Sequence, residues 1–596
     1  MSPRRAGALI GAAAGAELSL LLLLFIQVQN PWFEDSPALY LGLVAAPLAL
    51  LCALPGVLFG PRLSPAVARA FGRPAGLLLG MTLGLVLILG PLWPRPSPSG
   101  RVRLLVLGLD GATFERLDAL ELPALSRLAT EGARADLMSM EPMFSPLLWT
   151  TMASGKPPEQ HGIHGFHVQA TDCKAARFWD VMSDAGLSVG TWKWLVTYPP
   201  TRLAAFQIPA WLAPSTETWP PDYQFVKEIE LSRRSHRRQV AQRRGTLRLA
   251  WEGVRHGMRM STLARAARYR LSEALLGPDP LRSYYEGQLL RVEMDRDVFV
   301  YALHTTSPEV VTFTDYATDA IAHKFWKFHE PDRFPGVDPA LVSRWGEAVN
   351  DSYRQADQLL AELREEVGPG ATVVVLSDHG HRALTAVGEG IYFTPKTERL
   401  QARLSAEVGP ADVTRLGHKL VVGLTGPDPA AEEVALVAWL DRLTLSSTGE
   451  PFYRLEDIPE NPQAVGLSLR RESIGKDELE RATVGGDPLH DYVKRVEDES
   501  GEHDARGVFL AAGPGLVAGR SLPALRLFDV APTLLALVGL PAAEDMPGAV
   551  AEGLWERPPV LPSRPASYDR LVPLRPLESG EAGINEEQLK LLGYIE

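Results

Sequence analysis

The stretch ATVVVLSDHGHRA, residues 371–383, runs from Val373, Val374, Val375 and Leu376 directly into Ser377, Asp378, His379, Gly380 and His381. The apolar half reads as a buried strand. The polar half offers one carboxylate and two imidazoles, the donor types that hold divalent metals. Asp and Gly are also ordinary turn formers, so the same residues suit a plain strand end. Three other stretches carry comparable groups. In TDAIAHKFW, Asp319 and His323 stand four residues apart, which on a helix puts both side chains on one face, as a surface pair or as two ligands of one ion. In SGEHDARGVFLAAG, His503 precedes an apolar run, and in RVRLLVLGLDGAT, Asp110 follows one.

Hydroxyls come from EPMFSPLLWTTMASGKPPEQHGI. Ser145 before Pro146 reads as a helix start, with serine at the N-cap and proline at the first helical position. A serine there faces unpaired backbone N–H groups and the positive end of the helix dipole, surroundings that suit an anion. Two readings of Ser145 follow from its position: a helix cap, or a nucleophile. Thr150 and Thr151 lie about a turn and a half further along the same helix.

These groups need a frame. The apolar runs RVRLLVLGLDGAT, SVGTWKWLVTY, EVVTFTDY, ATVVVLSDHG and GVFLAAG alternate with helical stretches such as LPALSRLATEGA, RWGEAVNDSYRQADQLLAELREEV and DVAPTLLALVGL. That alternation predicts an α/β fold, a mainly parallel sheet with helices on both faces. In such sheets chemistry gathers at the carboxyl ends of the strands, where Asp110 and Asp378 stand. The catalytic domain is expected over 103–575, with insertions at about 201–290 and 384–500 and a C-terminal tail over 576–596. The first insertion contains SRRSHRRQVAQRRGTLRLAWEGVRHGMRMSTLARAARYR, an Arg-rich helical piece that reads as a solvated face or as a surface for anionic lipid head groups.

Residues 1–95 are different material. AGALIGAAAGAELSLLLLLFIQVQ, ALYLGLVAAPLALLCALPGVLFG and GLLLGMTLGLVLILGPLWP are each about the 20 residues that span a bilayer as helix. They predict a membrane anchor of three transmembrane helices, joined to the rest by a linker over 96–102. Arg4 and Arg5 before the first span, and Arg62, Arg69 and Arg73 between the second and third, place the N-terminus in the cytoplasm. Everything after the third span is then extracytoplasmic, at the cell (inner) membrane. Glu17 lies inside the first span, as a functional carboxylate or at a bundle interface. With Cys52 and Cys173 the only cysteines, a disulfide framework and a zinc ribbon are excluded. A net charge of -12 argues against nucleic-acid polymers as partners.

Taken together, VLGLDGAT, FSPLLWTTMASGKPPEQHGI, TDAIAH, SDHG and GEH, in that order within about residues 103–550, resemble the alkaline phosphatase superfamily, most closely its type I phosphodiesterase/nucleotide pyrophosphatase branch. The resemblance implies an alkaline-phosphatase-like fold and a metal-dependent phosphoric ester hydrolase with two divalent ions, zinc or, as a substitute, manganese. Asp319, His323 and His503 would hold one ion. Asp110, Asp378 and His379 would hold the other, with Ser145 as its further ligand and as the nucleophile of a phospho-serine mechanism. Gly380 would allow the turn, and His381 falls outside the pattern, as a residue behind the ligands or on the surface. The family usually has threonine at the nucleophile and an asparagine after HGI, where this chain has Ser145 and Phe166. His164 and Lys193 are the candidates to hold the phosphoryl oxygen instead. SPLLW lacks the x-Pro-x-Arg arrangement of sulfatases. Membrane-anchored relatives include transferases of phosphoethanolamine or phosphoglycerol from lipid onto cell-envelope glycans, the alternative to a hydrolase. The substrate expected is a phosphoester, free or lipid-linked.

Overall fold

A computed structural model describes residues 102–572, apart from 167, 233–245, 278, 335, 385–390, 410, 417–418, 425–427, 457–463, 471–472, 475–480 and 496–499. The three expected spans with Glu17, the linker as far as residue 101, the Arg-rich residues 233–245 and the tail 576–596 lie outside the described residues. Among the described residues no helix is long and apolar enough to cross a membrane. The chain divides into two compact units, Met1–Pro96 with Thr246–Arg268, and Ser97–Gly245 with Tyr269–Glu596. What is described of the first is helical, Thr246–Arg255 and the start of Met260–Leu276.

The second unit is a mixed α/β fold built on a nine-stranded sheet. Its strands are β1 (Leu104–Leu109), β2 (Ala133–Met138), β3 (Val189–Trp192), β4 (Phe206–Ile208), β5 (Val310–Asp315) and β6 (Thr372–Leu376). Two short strands follow, β7 (Gly380–Ala383) and β8 (Gly501–Asp504), which pair only with each other, and then β9 (Arg506–Ala512), β10 (Arg520–Ser521) and β11 (Leu525–Arg526) of the large sheet. The sheet order is β10-β2-β9-β6-β1-β5-β3-β4, with β11 also beside β2. From β6 to β4 every pairing is parallel. The mostly parallel centre fits the expected alkaline-phosphatase-like fold, and the apolar strands LLVLGL, VVTFTD and TVVVL are buried at every position, as strands covered on both faces must be.

Two strands depart from expectation. GVFLAAG belongs to β9, which runs antiparallel to both β2 and β6. SVGTWKWLVTY is a strand only over Val189–Trp192, because Lys193 and Val196 take left-handed backbone angles, φ 58° and 56°, which a strand cannot contain.

The sheet order places the chemistry. β6, β1 and β5 are neighbours in register, Leu109 opposite Asp315 and Gly108 opposite Leu376. Their carboxyl ends therefore deliver Asp378, Asp110 and the start of the next helix to one edge. Helix α1 (Ser145–Ser154) has all ten residues buried, and helix α2 (Ala317–His329) follows β5 after one residue. Trp149 of α1 is fully buried, edge-on to Trp194 at 4.8 Å between ring centroids, and the Trp194 indole N–H donates to the Trp149 carbonyl at 3.0 Å. Rings of this size, burying roughly 150–250 Å² each, fix α1 against the sheet.

Residues 391–495 carry a separate antiparallel sheet of Tyr453–Glu456, Ala464–Leu469, Lys419–Leu424 and Ala411–Leu416, in that order. It has its own apolar core, in which Leu420, Val422, Trp439, Leu467 and Tyr492 are buried.

Candidate metal centre and nucleophile

Helix α2 puts Asp319 and His323 one turn apart in its first half, both buried, with His323 Nε2 at 3.3 Å from Asp319 Oδ1. The ribbon of β7 and β8 brings two more imidazoles. Its register sets His381 opposite His503. One donor atom from each of Asp319, His323, His381 and His503 falls within 4.8 Å of the others. A second such group is Asp110, Asp319 and His379, and Asp378 lies beside it, Oδ2 at 3.6 Å from His379 Nε2. Asp319 is thus in reach of both groups, and the rings of His379 and His503 stack at 3.7 Å across them. The six carboxylates and imidazoles among the seven expected metal ligands meet in one buried site.

Second partners orient these rings. Nδ1 of His323 faces the Gly501 carbonyl at 3.2 Å, Nδ1 of His503 the Met143 carbonyl at 3.1 Å, and Nδ1 of His379 the Gly380 carbonyl at 2.9 Å. A carbonyl only accepts, so each Nδ1 carries the proton and each Nε2 presents a lone pair to the site, a tautomer assigned from the bonding pattern. His323 and His503 then aim two lone pairs at each other across 3.1 Å, an arrangement that is repulsive unless a proton or a cation sits between them.

The carboxylates make the same demand. Both oxygens of Asp378, Oδ1 of Asp110, Nε2 of His379 and both ring nitrogens of His381 are buried without a hydrogen-bond partner. Burial, then the charges of Asp378 and Asp319, raises the Asp110 carboxyl well above its ordinary range, and burial with the charge of Asp319 pushes Asp378 up to about 8. For Asp319 burial works in the same direction, but positive charge on the His323 ring, then hydrogen bonds from His323 and His503, outweigh it and hold the acid well below its usual range, the part a cation between these donors would take. Burial, then the neighbouring imidazoles, holds His379 and His381 well below the usual histidine value. Buried carboxylates that resist ionising and imidazoles that resist protonation, with lone pairs converging, form a donor set that fits divalent cations.

Ser145 corrects the reading from the sequence. The N-cap of α1 is Phe144, Ser145 is the first helical residue, and no side chain caps the helix. The Ser145 hydroxyl is buried and bonds to nothing. Its helix starts at the same edge as the ligands, since His503 bonds the Met143 carbonyl two residues earlier. Thr150 and Thr151 spend their hydroxyls on the carbonyls of Pro146 and Leu147, at 2.7 and 3.0 Å.

His381 is buried and not on the surface, and one of its donor atoms lies within 4.8 Å of those of Asp319, His323 and His503. Gly380 has no left-handed angle to supply. Its missing side chain leaves room for the Arg506 carbonyl, which an added Cβ would meet at 2.3 Å. Lys193 is buried and paired with Asp295 at 2.6 Å and Glu230 at 3.1 Å, so a substrate anion would have to break those pairs to reach it. His164 is half-buried on the turn after His161. Phe166 is buried and packs edge-on to Phe144 at 5.5 Å, so an aromatic ring stands where the family's amide is expected. Two further residues escaped the sequence. Ser377 accepts from the Ala112 N–H at 2.9 Å and donates to the His379 carbonyl, tying the β1 and β6 ends together, and Thr318 donates to the Asp110 carbonyl. Small hydroxyl residues leave no sequence signal for such bonds.

Residues 104–422, more than half of the chain, match the family model described as type I phosphodiesterase / nucleotide pyrophosphatase. Among solved structures, murine ectonucleotide pyrophosphatase/phosphodiesterase 5 is similar at 13% identity over 73% of this chain and 95% of that one, TM-score 0.38. An inactive variant of the same mouse protein in complex with AMP aligns with the same figures, 13% identity, 73% and 95% coverage and TM-score 0.38. No curated protein sequence matches the chain.

Proposed function

Because the chain belongs to the type I phosphodiesterase / nucleotide pyrophosphatase family and is a phosphoric ester hydrolase, we propose that it cleaves a phosphodiester in two displacements through a phospho-serine at Ser145. The observation that carries this reading is the Ser145 hydroxyl, buried at the head of α1, capping nothing, on the edge where the ligands converge. In the first displacement Oγ attacks phosphorus, the bond to the leaving alkoxide breaks and the serine proton departs. In the second, a water oxygen attacks the phospho-serine and Oγ leaves, regaining a proton. Asp319, His323 and His503 would hold one divalent ion, and Asp110, Asp378 and His379, with Ser145, the other. Bound there, the ions would supply the positive charge that favours an ionised serine and a departing oxygen anion. The chain's own part is orientation. The backbone carbonyls of Gly501, Met143 and Gly380 hold the imidazoles in the tautomer that faces inward, and Trp149 and Trp194 anchor the nucleophile helix.

Zinc, with manganese as substitute, is the metal this donor set favours. Of the two proposed substrate contacts, Lys193 is held by its pairs with Asp295 and Glu230, and His164 remains the other candidate to hold the phosphoryl oxygen. The three apolar segments before residue 95 support a multi-pass anchor with the catalytic domain outside, which would give access to a lipid-linked phosphodiester. Protease treatment of intact spheroplasts should digest the domain beyond residue 100, and its protection would reverse the orientation. For the chemistry, enzyme quenched in acid during turnover of a phosphorus-labelled aryl diester should carry label on Ser145. Absence of covalent label on a fully active enzyme, under conditions that trap other phospho-enzymes, would remove the two-step route. Transfer of a labelled head group from phospholipid to a glycan, with no release to water, would instead identify the transferase.

A further inference from the structure

We propose that His381 is a direct ligand of the ion assigned to Asp319, His323 and His503, so that this chain surrounds that ion with three imidazoles and one carboxylate. The inference rests on the two-metal reading above and adds to it a residue outside the family's motif.

His381 is 2% exposed, and neither of its ring nitrogens has a hydrogen-bond partner. An imidazole taken out of water and given nothing to bond is a net cost to the fold, whereas an apolar ring of similar size would fill the same space without it. A ligand in front of the ring removes the cost. The geometry points to one. Nδ1 lies 3.7 Å from Asp319 Oδ1, too far for a hydrogen bond, while His323 and His503 approach the same oxygen at 3.3 and 3.6 Å and each other at 3.1 Å. Zinc–nitrogen bonds of about 2.0–2.1 Å set the edge of a coordination tetrahedron at roughly 3.3 Å, near the three approaches to Asp319 Oδ1 and the His323–His503 approach, and the donor atoms of all four residues lie within 4.8 Å of one another.

Several features hold the ring there. The ribbon register pairs His381 with His503 and so turns both to one face. Trp326, one turn beyond His323 on α2, stacks on His381 at 6.1 Å with 22° between planes. At the end of β1, Gly111 takes φ +68°, and a Cβ there would lie 2.6 Å from His381 Nδ1, so the turn of LGLDG is open where the ring enters. The other three imidazoles present Nε2, and His381 presents Nδ1, which is consistent with an approach from the ribbon strand opposite His503.

Three nitrogens and one oxygen make this half of the centre nitrogen-rich and leave a bound dication with net charge, while two carboxylates neutralise the other. Such a set discriminates for zinc over manganese more strongly than the two-imidazole set would. Replacement of an outer-shell partner typically weakens metal binding 10–100-fold. For the full chain in detergent, chelator competition should therefore show one of two zinc ions held more than about 100-fold more weakly in His381→Ala, with the second unchanged. Because Ala leaves a void beside Trp326, His381→Cys supplies the decisive readout. Loaded with cobalt(II), it should show a thiolate-to-cobalt charge-transfer band in the near ultraviolet beyond any signal of the cobalt-loaded parent, which carries Cys52 and Cys173 alone. Parent-like zinc affinity in His381→Ala together with no such band in a folded, cobalt-loaded His381→Cys would overturn the inference and leave the two-metal reading intact. A parent chain that binds no ion would overturn both.

Discussion

The carboxylate-rich half of the centre and its imidazole-rich half meet at Asp319 but come from different parts of the chain. Asp110 and Asp378 extend two adjacent parallel strands, so any sequence that forms β1 and β6 in register brings them together. The imidazoles of His323, His381 and His503 come from a helix and a two-stranded ribbon, and their meeting depends on how the ribbon packs across the sheet edge. The charges differ as well. Burial makes Asp110 and Asp378 reluctant to ionise, while Asp319 is held ionised by the rings around it. A site assembled this way has one half that needs a cation to be charged at neutral pH and one half that is preset to receive it.

The largest effect expected is at the nucleophile that both halves serve. Ser145→Ala should lower turnover of an aryl phosphodiester by roughly ten-thousandfold or more and leave both ions bound. Because the hydroxyl caps nothing, thermal melting should show no loss of stability, unlike the cost of about 1 kcal/mol for a lost N-cap. Ser145→Thr should retain measurable turnover. An Ala variant near the parent rate would send the assignment to Thr150 or Thr151.

Next come the ligands taken one half at a time. Asp378→Asn and His503→Ala should each cost one ion by metal analysis and more than about 100-fold in turnover, each leaving the other half loaded. If either variant lost both ions, the halves would be a single cooperative site and the comparison would fail. A smaller, sharper effect is selectivity. With limiting zinc and excess manganese, the chain should come to equilibrium with zinc in the imidazole-rich half and manganese in the other, one of each by metal analysis. Random occupancy would mean that the donor sets do not discriminate.

The smallest effect concerns Asp315, the last residue of β5, which supports the helix of the imidazole-rich half by accepting from the Ala317 N–H at 2.8 Å. Burial pushes its carboxyl from an ordinary 3.8 up to about 6. A raised folded value means that the folded chain keeps a proton the unfolded chain has released, so stability from this group is full below pH 3.8 and falls as pH rises to about 6. Asp315→Asn should therefore gain stability over the parent progressively between those values and level off above them, by at most about 3 kcal/mol. Melting temperatures across that window test it, and a gain independent of pH would exclude the carboxyl as its source.

Local signals in the sequence carried much of this. Continuous apolar runs predicted the buried strands because a strand covered on both faces has no polar side to alternate, and the four-residue spacing of Asp319 and His323 became one helical face because 3.6 residues make a turn. The motif residues Asp110, Asp378, His379 and His503 were legible through resemblance. Three things were decided only by the tertiary structure. β9 runs antiparallel, since an apolar run has no direction. Ser145 is the first residue of its helix and not its cap, because proline is tolerated at either of the first two positions and the side-chain bond that would distinguish them is not written in the residue types. His381 looked like a bystander, although His379 and His381 stand two apart, because only the pairing of β7 with β8 sets it opposite His503, and that register joins residues more than a hundred positions apart. Spacing along the chain fixes which side chains share a face. Which faces meet is settled by packing, and that is where the imidazole-rich half of this centre is made.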